Sequence, residues 1–309
     1  GGCIAYICLT LYGLIPNDKI PMPRIFDFIR DFRYGLFISA CEKIYDEPKD
    51  NVDIAANFAV DLHTPISLFE MVNHVSFELL NQGLFQLNAE SLGQRIGAKI
   101  QLVDSIFSDD DSIIFEIQFD PNIANSFDLK KRQGTLTVVV YFNYTEVGGR
   151  VHTSINPQNP YILKINERSQ SKLTGTFYME RLDQDAQRFN MDSLQLFTSE
   201  SPDIPIVGNG YLDFTSITGQ QIPGLSGDMV EIQGEGIWSR GKDISDWNII
   251  LPLRMRYEYG CSQYVHKGMI RFLTQLDRYI IDFDPFETGA CNKIIKITKG
   301  GNQFEVVLP

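Results

Sequence analysis

Positive charge is scarce in this chain: 27 Lys and Arg stand against 39 Asp and Glu over 309 residues, a formal net charge of −12. A surface of that sign repels phosphate backbones, so nucleic acid is excluded as a principal partner, and anionic lipid headgroups are disfavoured on the same ground. The densest basic stretch, DLKKRQG at 128–134, reads as a solvated loop between apolar segments. Cysteine is sparse too. Cys3, Cys8, Cys41, Cys261 and Cys291 contain no C-x-x-C pair, which argues against a thiolate zinc site and for reduced thiols in a core. Cys261 and Cys291 would meet only if the C-terminal hairpins brought them together. That usage favours a cytoplasmic location.

Catalytic and cofactor motifs are missing as well. The chain has no G-x-S-x-G elbow, no phosphate loop and no dinucleotide fingerprint. The Gly-x-Gly pairs in VGNGYLDF (207–214) and QGEGIWSR (233–240) fall within strand-like segments, so no cofactor is predicted. Long apolar runs are absent. The longest, CIAYICLTLYGLIP at 3–16, falls short of the roughly 20 residues a membrane-spanning helix needs. It reads either as a buried element or as the remnant of a longer apolar segment that contacts a membrane or a partner protein.

What is present is apolar bulk. Hydrophobic residues make up 43% of the chain and include 21 Phe and 13 Tyr, enough for a large core. Helical spacing dominates the first third. It predicts a helix over 24–45, a second over 64–85 with Thr64 as N-cap, Pro65 at the first position and Gly83 as the stop, and a short one over 89–98. Beyond residue 98 the period changes to two. SIIFEIQF (112–119), KLTGTFYMERL (172–182) and WNIILPLRMRYEY (247–259) alternate apolar and polar side chains, and GTLTVVVYFNY (134–144) is apolar enough to be buried on both faces. Further strands are predicted near 98–107, 147–155, 205–214, 228–239, 276–283, 293–298 and 303–308. Short Gly, Asn and Asp turns join them, so the sheet is antiparallel. The fold expected is α+β: a mainly helical region, 1–97, packed on a large antiparallel β-barrel or β-sandwich, 98–309. The helices would then plug or cover one end of the β unit.

Three functional classes fit this plan. The first is a non-catalytic binding protein holding an apolar small molecule or lipid in a lipocalin-like barrel cavity, lined by Phe177, Trp238 and Tyr257 with Arg254 and Arg256 to orient the ligand. The second is a cofactor-free cyclase or isomerase using the same cavity, with His152 and Glu258 as the acid–base candidates. The third is a structural or assembly subunit. Within DLHTPISLFEMVNH (61–74), Glu70 and His74 share a helix face at i, i+4, and Asp61 with His63 stand close in sequence. These four are the candidate metal ligands, against a plainer reading as buried, hydrogen-bonded residues beside a helix cap.

Overall fold

The structure is a computed structural model that describes residues 52–309 except 82–84, 105–111, 127, 165–169, 199–200, 219–228, 257–264, 290, 292 and 309. The apolar segment 3–16, the helix predicted over 24–45 and the residues Tyr257, Glu258 and Cys261 lie outside the described residues. By contacts the chain divides into Gly1–Asp50 and Asn51–Pro309, so the helices after residue 51 belong with the sheet in one compact unit.

Helix α1 (Asp53–Asn81) starts eleven residues before the expected cap, and Pro65 lies inside it. Thr64 is therefore no N-cap; its side chain is fully buried. Proline removes one backbone donor and crowds the carbonyl of Asp61, a cost in a helix interior that tertiary packing has to offset. Here the packing is extensive. From Ala55 to Leu80 no side chain of α1 is exposed. A helix apolar round most of its circumference belongs inside a core. At 29 residues it is about 43 Å long. Helix α2 (Phe85–Ile96) follows and packs on α1 and on the first strand.

One antiparallel sheet of 14 strands makes up the rest, so the architecture is a sheet-rich α+β fold. Its strands are β1 (Ala98–Asp104), β2 (Ser112–Phe119), β3 (Lys131–Tyr141), β4 (Arg150–Ile155), β5 (Tyr161–Lys164), β6 (Gln170–Arg181) and β7 (Ala186–Thr198). They continue as β8 (Ser201–Thr218), β9 (Met229–Arg240), β10 (Asp243–Arg256), β11 (Lys267–Leu273), β12 (Arg278–Asp282), β13 (Ile294–Lys299) and β14 (Asn302–Val307). Each strand pairs with its sequence neighbour, except that β4 pairs β6 while the short β5 bridges β3 and β6. The hydrogen-bonded path runs from β1 at one end to β14 at the other.

The two glycine pairs lie side by side. Gly210 of β8 is registered with Gly236 of β9, Gly208 with Trp238, and Leu212 with Gly234. A Cβ on Gly236 would sit 2.8 Å from Trp247 Cζ2 and 2.5 Å from the Asn209 carbonyl; one on Gly210 would sit 2.4 Å from the Glu235 carbonyl. The repeated Gly-x-Gly is thus a device for close strand approach and for seating two indole rings, as glycines inside strands commonly are.

Two strand expectations need correction. Burial in β3 alternates, with Leu136, Val138 and Val140 inside and their neighbours half-buried, so that strand is not covered on both faces. In β10, Leu251 faces outward at 50% exposure. Register slips on both sides of it, and Pro252, unable to donate to a ladder, follows directly. Cys291 is disulfide-bonded, against the expectation of reduced thiols. Its partner lies outside the described residues, and pairing between residues distant along the chain leaves no mark in local spacing.

Candidate functional site

The buried face of the sheet is where a ligand cavity was expected, and α1 packs against it. Phe58 meets Trp238 of β9 edge-on at 4.8 Å, lies 6.1 Å from Trp247 of β10 and stacks on Phe272 of β11 at 4.4 Å. Farther along, Phe69 stacks on Phe214 of β8 at 3.7 Å and meets Phe189 of β7 at 5.9 Å. One helix is therefore in ring contact with five strands, from β7 to β11. A void of about 10 Å³, the size that admits one water, remains beside Pro65. Leu173, Met191, Leu196, Gly208 and Trp238 help to line it. The buried indole N–H groups of Trp238 and Trp247 have no hydrogen-bond partner among the described residues.

A polar seam runs along α1 within this core. Arg132 of β3 donates to both oxygens of Asp128 at 3.0 and 2.5 Å, to Ser67 Oγ at 2.8 Å and to the Tyr161 hydroxyl at 2.9 Å. All four groups are buried. Asp128 loses solvation here, yet the adjoining guanidinium outweighs that loss and its carboxyl titrates at about 2. Farther along α1 the Tyr144 hydroxyl donates to Asn73 Oδ1, with Gln187 Oε1 3.4 Å away. The stretch read as a solvated loop is thus half interior: Asp128, Lys130 and Arg132 point inward while Lys131 is exposed. Arg132 lies in β3, while Asp128 and Lys130 belong to the turn before it, with Leu129 at φ 58°, and the Asp128–Arg132 pair four residues apart neutralises itself.

Lys130 Nζ lies 3.3 Å from Nε2 and 3.4 Å from Nδ1 of His63, and its charge is felt by Glu70. Two candidate metal ligands therefore converge on an ammonium, whose charge opposes a dication beside them. His74 is buried next to Glu78 and near Arg95 of α2; burial pushes its pKa down, Glu78 pulls it up and Arg95 lowers it again. Asp61 is buried higher on the helix. Among the described residues no three His, Cys, Asp or Glu side chains come together as a metal-binding group.

Burial lowers the Lys130 pKa from 10.5 to about 8, with Asp128 opposing the shift and Arg132 adding to it. An unfolded lysine titrates near 10.4. Between those values the unfolded chain holds a proton that the folded chain has released, so stability rises with pH by up to about 1.4 kcal/mol per unit. Tyr144, Tyr161 and Tyr279 have pKa values raised from 10.0 by burial, so they oppose the climb only as the pH nears 10.0, where the unfolded phenols begin to ionise. We expect the urea midpoint to climb between pH 8 and about 9.5 and the climb to vanish in Lys130→Met. Superimposable curves for parent and variant would show that the amine is not buried in a charged-form-averse site.

The remaining candidates divide between the two faces of the sheet. Phe177 points inward and packs on Phe189 at 4.8 Å. Trp238 points inward onto Phe58. Arg254 lies on the outer face, where it donates to Glu231 Oε1 at 2.8 Å, and Arg256 follows two residues later. His152 is exposed on the outer face of β4, between Tyr141 at 5.8 Å and Tyr178 at 5.7 Å. The arginines and His152 thus do not line the space that Phe177 and Trp238 share with α1. Outside, the sheet carries Ile237, Ile244, Ile250 and Leu251, all exposed on β9 and β10. No family model, curated protein or solved structure matches the chain. No described helix is long and apolar enough to cross a membrane.

Proposed function

We propose that this is a non-catalytic binding protein that works through its exterior, as an assembly or interaction subunit. The observation that carries this reading is the packing of α1 on the sheet's buried face; the void described there, about 10 Å³ beside Pro65, is far smaller than a lipid-sized ligand needs. Exposed apolar side chains on β9 and β10, and a terminal strand that pairs on one side among the described residues, supply contact surface on the outside. The disulfide at Cys291 supports an oxidising compartment over the cytoplasm.

A second reading keeps an apolar small molecule or lipid inside a barrel-like β unit. It is favoured by the void beside Pro65 and by the unpartnered indole N–H of Trp238, a donor ready for one polar group of a guest. Native mass spectrometry of the purified chain, run beside sedimentation velocity at rising concentration, separates the two. The first reading expects the bare chain mass and a sedimentation coefficient that grows with concentration. A stoichiometric apolar adduct on a chain that stays monomeric would overturn it in favour of the second.

A further inference from the structure

β14 is the last strand of the sheet and pairs on one side only, with β13. A two-residue turn, Gly300–Gly301 with φ of +56° and +91°, joins the two strands and fixes their phase. Lys299 and Asn302 close the turn as a hydrogen-bonded pair, so the even positions 302, 304 and 306 face β13 with their backbone groups. The Leu308 N–H, in the same phase, donates to the Lys293 carbonyl at 2.7 Å. Gln303, Glu305 and Val307 therefore direct their N–H and C=O groups away from the sheet, and no described strand receives them. Residues 301–305 and Val307 are all exposed, with Phe304 at 38% and Val307 at 69%.

Terminal strands are ordinarily protected by lysine, proline, a bulge or a covering element. At the opposite end α2 packs on β1, with Gly93 so close that a Cβ there would lie 2.5 Å from the Ala98 carbonyl. Among the described residues β14 shows none of these devices: its register with β13 runs unbroken from Lys299–Asn302 to Ile294–Val307, no described element covers it, and residues 302–307 contain no lysine or proline.

We propose that β14 is a self-association edge, on which a second copy of this chain lays its own β14 antiparallel, on a two-fold axis through Phe304. The proposal rests on the exterior-binding reading above and names its partner. Backbone phase requires outward groups to meet outward groups, and the register centred on Phe304 satisfies this while pairing both Gln303–Glu305 sets and the two aromatic rings. Centred on Phe304, Gln303 faces Glu305 of the second copy as a hydrogen-bonding pair, and the two Phe304 rings meet at the closely spaced non-bonded position, an aromatic cross-strand pair. A one-residue slip sets outward backbone groups against inward ones. A slip centred on Glu305 puts two carboxylates directly opposite, which is destabilising. In the favoured register Glu305 faces a neutral amide, while Lys296 of its own β13 stands beside it.

Two variants test this on the full chain. Phe304→Cys brings two Cα atoms within disulfide range across the axis, whereas Gln303→Cys sets them two residues out of register. Non-reducing electrophoresis should show a linked dimer for Phe304→Cys, beyond any formed by the parent, and none for Gln303→Cys. Gln303→Pro removes an N–H that β13 does not use, so the hairpin persists while the dimer loses two bonds. Its dissociation constant should rise about thirtyfold with the melting temperature unchanged. A parent that sediments as one copy at every concentration overturns both the edge and the assembly reading. A parent that self-associates, with Phe304→Cys unlinked and Gln303→Pro unaffected, overturns the edge alone and leaves assembly through another surface.

Discussion

Arg132→Met is expected to cost about 3–5 kcal/mol of folding stability, because it takes the bidentate guanidinium from the buried Asp128 carboxylate and leaves Lys130 to offset its charge. Arg132 is 3% exposed and makes four hydrogen bonds to Asp128, Ser67 and Tyr161, so the substitution also takes one hydrogen bond each from Ser67 and Tyr161. Removing both charges in Arg132→Met with Asp128→Leu should recover most of the loss, since a buried ion pair contributes little beyond a well-packed apolar pair. The two variants differ at low pH as well. Asp128 has a folded pKa of about 2 against an ordinary 3.8, so the ion pair's stabilisation is complete above 3.8 and is lost as the pH falls toward 2. The double variant should lack that acid limb. Urea denaturation at neutral and acid pH measures both effects, and a single variant within 1 kcal/mol of the parent would show that Asp128 is not held as a buried anion.

Phe58→Ala should cost a similar amount, about 3–5 kcal/mol, through lost contact and a cavity that the surrounding strands cannot close. Phe58 is 3% exposed and is the ring on which Trp238, Trp247 and Phe272 converge. Its removal would hollow the interior that α1 now fills. An apolar cavity of that kind stays dry and admits a guest such as benzene. Benzene should therefore raise the melting temperature of Phe58→Ala and leave the parent unchanged. Equal stabilisation of both would mean that the parent already has an accessible hollow, and the exterior-binding reading would fall.

Period-two alternation made β2 and β6 readable from their residues, and the turn chemistry made the sheet antiparallel. β7 was not readable, because its alternation reverses partway: Phe189 and Met191 are buried, then Leu194 and Leu196, with Ser193 at φ 58° and a register slip between them. The four residues of β5 are too few to show a period, and β11 carries a charged residue at Lys267 and Arg271 with glycine at an inward position. The start of α1 was misplaced for a different reason. Thr64–Pro65 is strong local chemistry for a helix entrance, but burial on every side outweighs a missing donor. Asp128, Lys130 and Arg132 read as surface because their burial depends on partners far along the chain, such as Ser67 and Tyr161. Long-range facts, such as the Cys291 disulfide and the convergence of five strands on one helix, have no local signature at all.

Chain order turns the largely buried α1 into a kinetic liability. The helix is made before every strand that shelters it, and Phe58 meets its stacking partner Phe272 only after β11 has left the ribosome. Hairpins can zip in sequence as they emerge, yet each leaves α1 partly bare until the next arrives. During synthesis the nascent protein therefore displays a long greasy rod, the kind of transient surface that holdase chaperones capture and that drives misassembly when they do not. A permuted chain in which α1 follows the strands should refold with less aggregation, although its finished contacts would be the same.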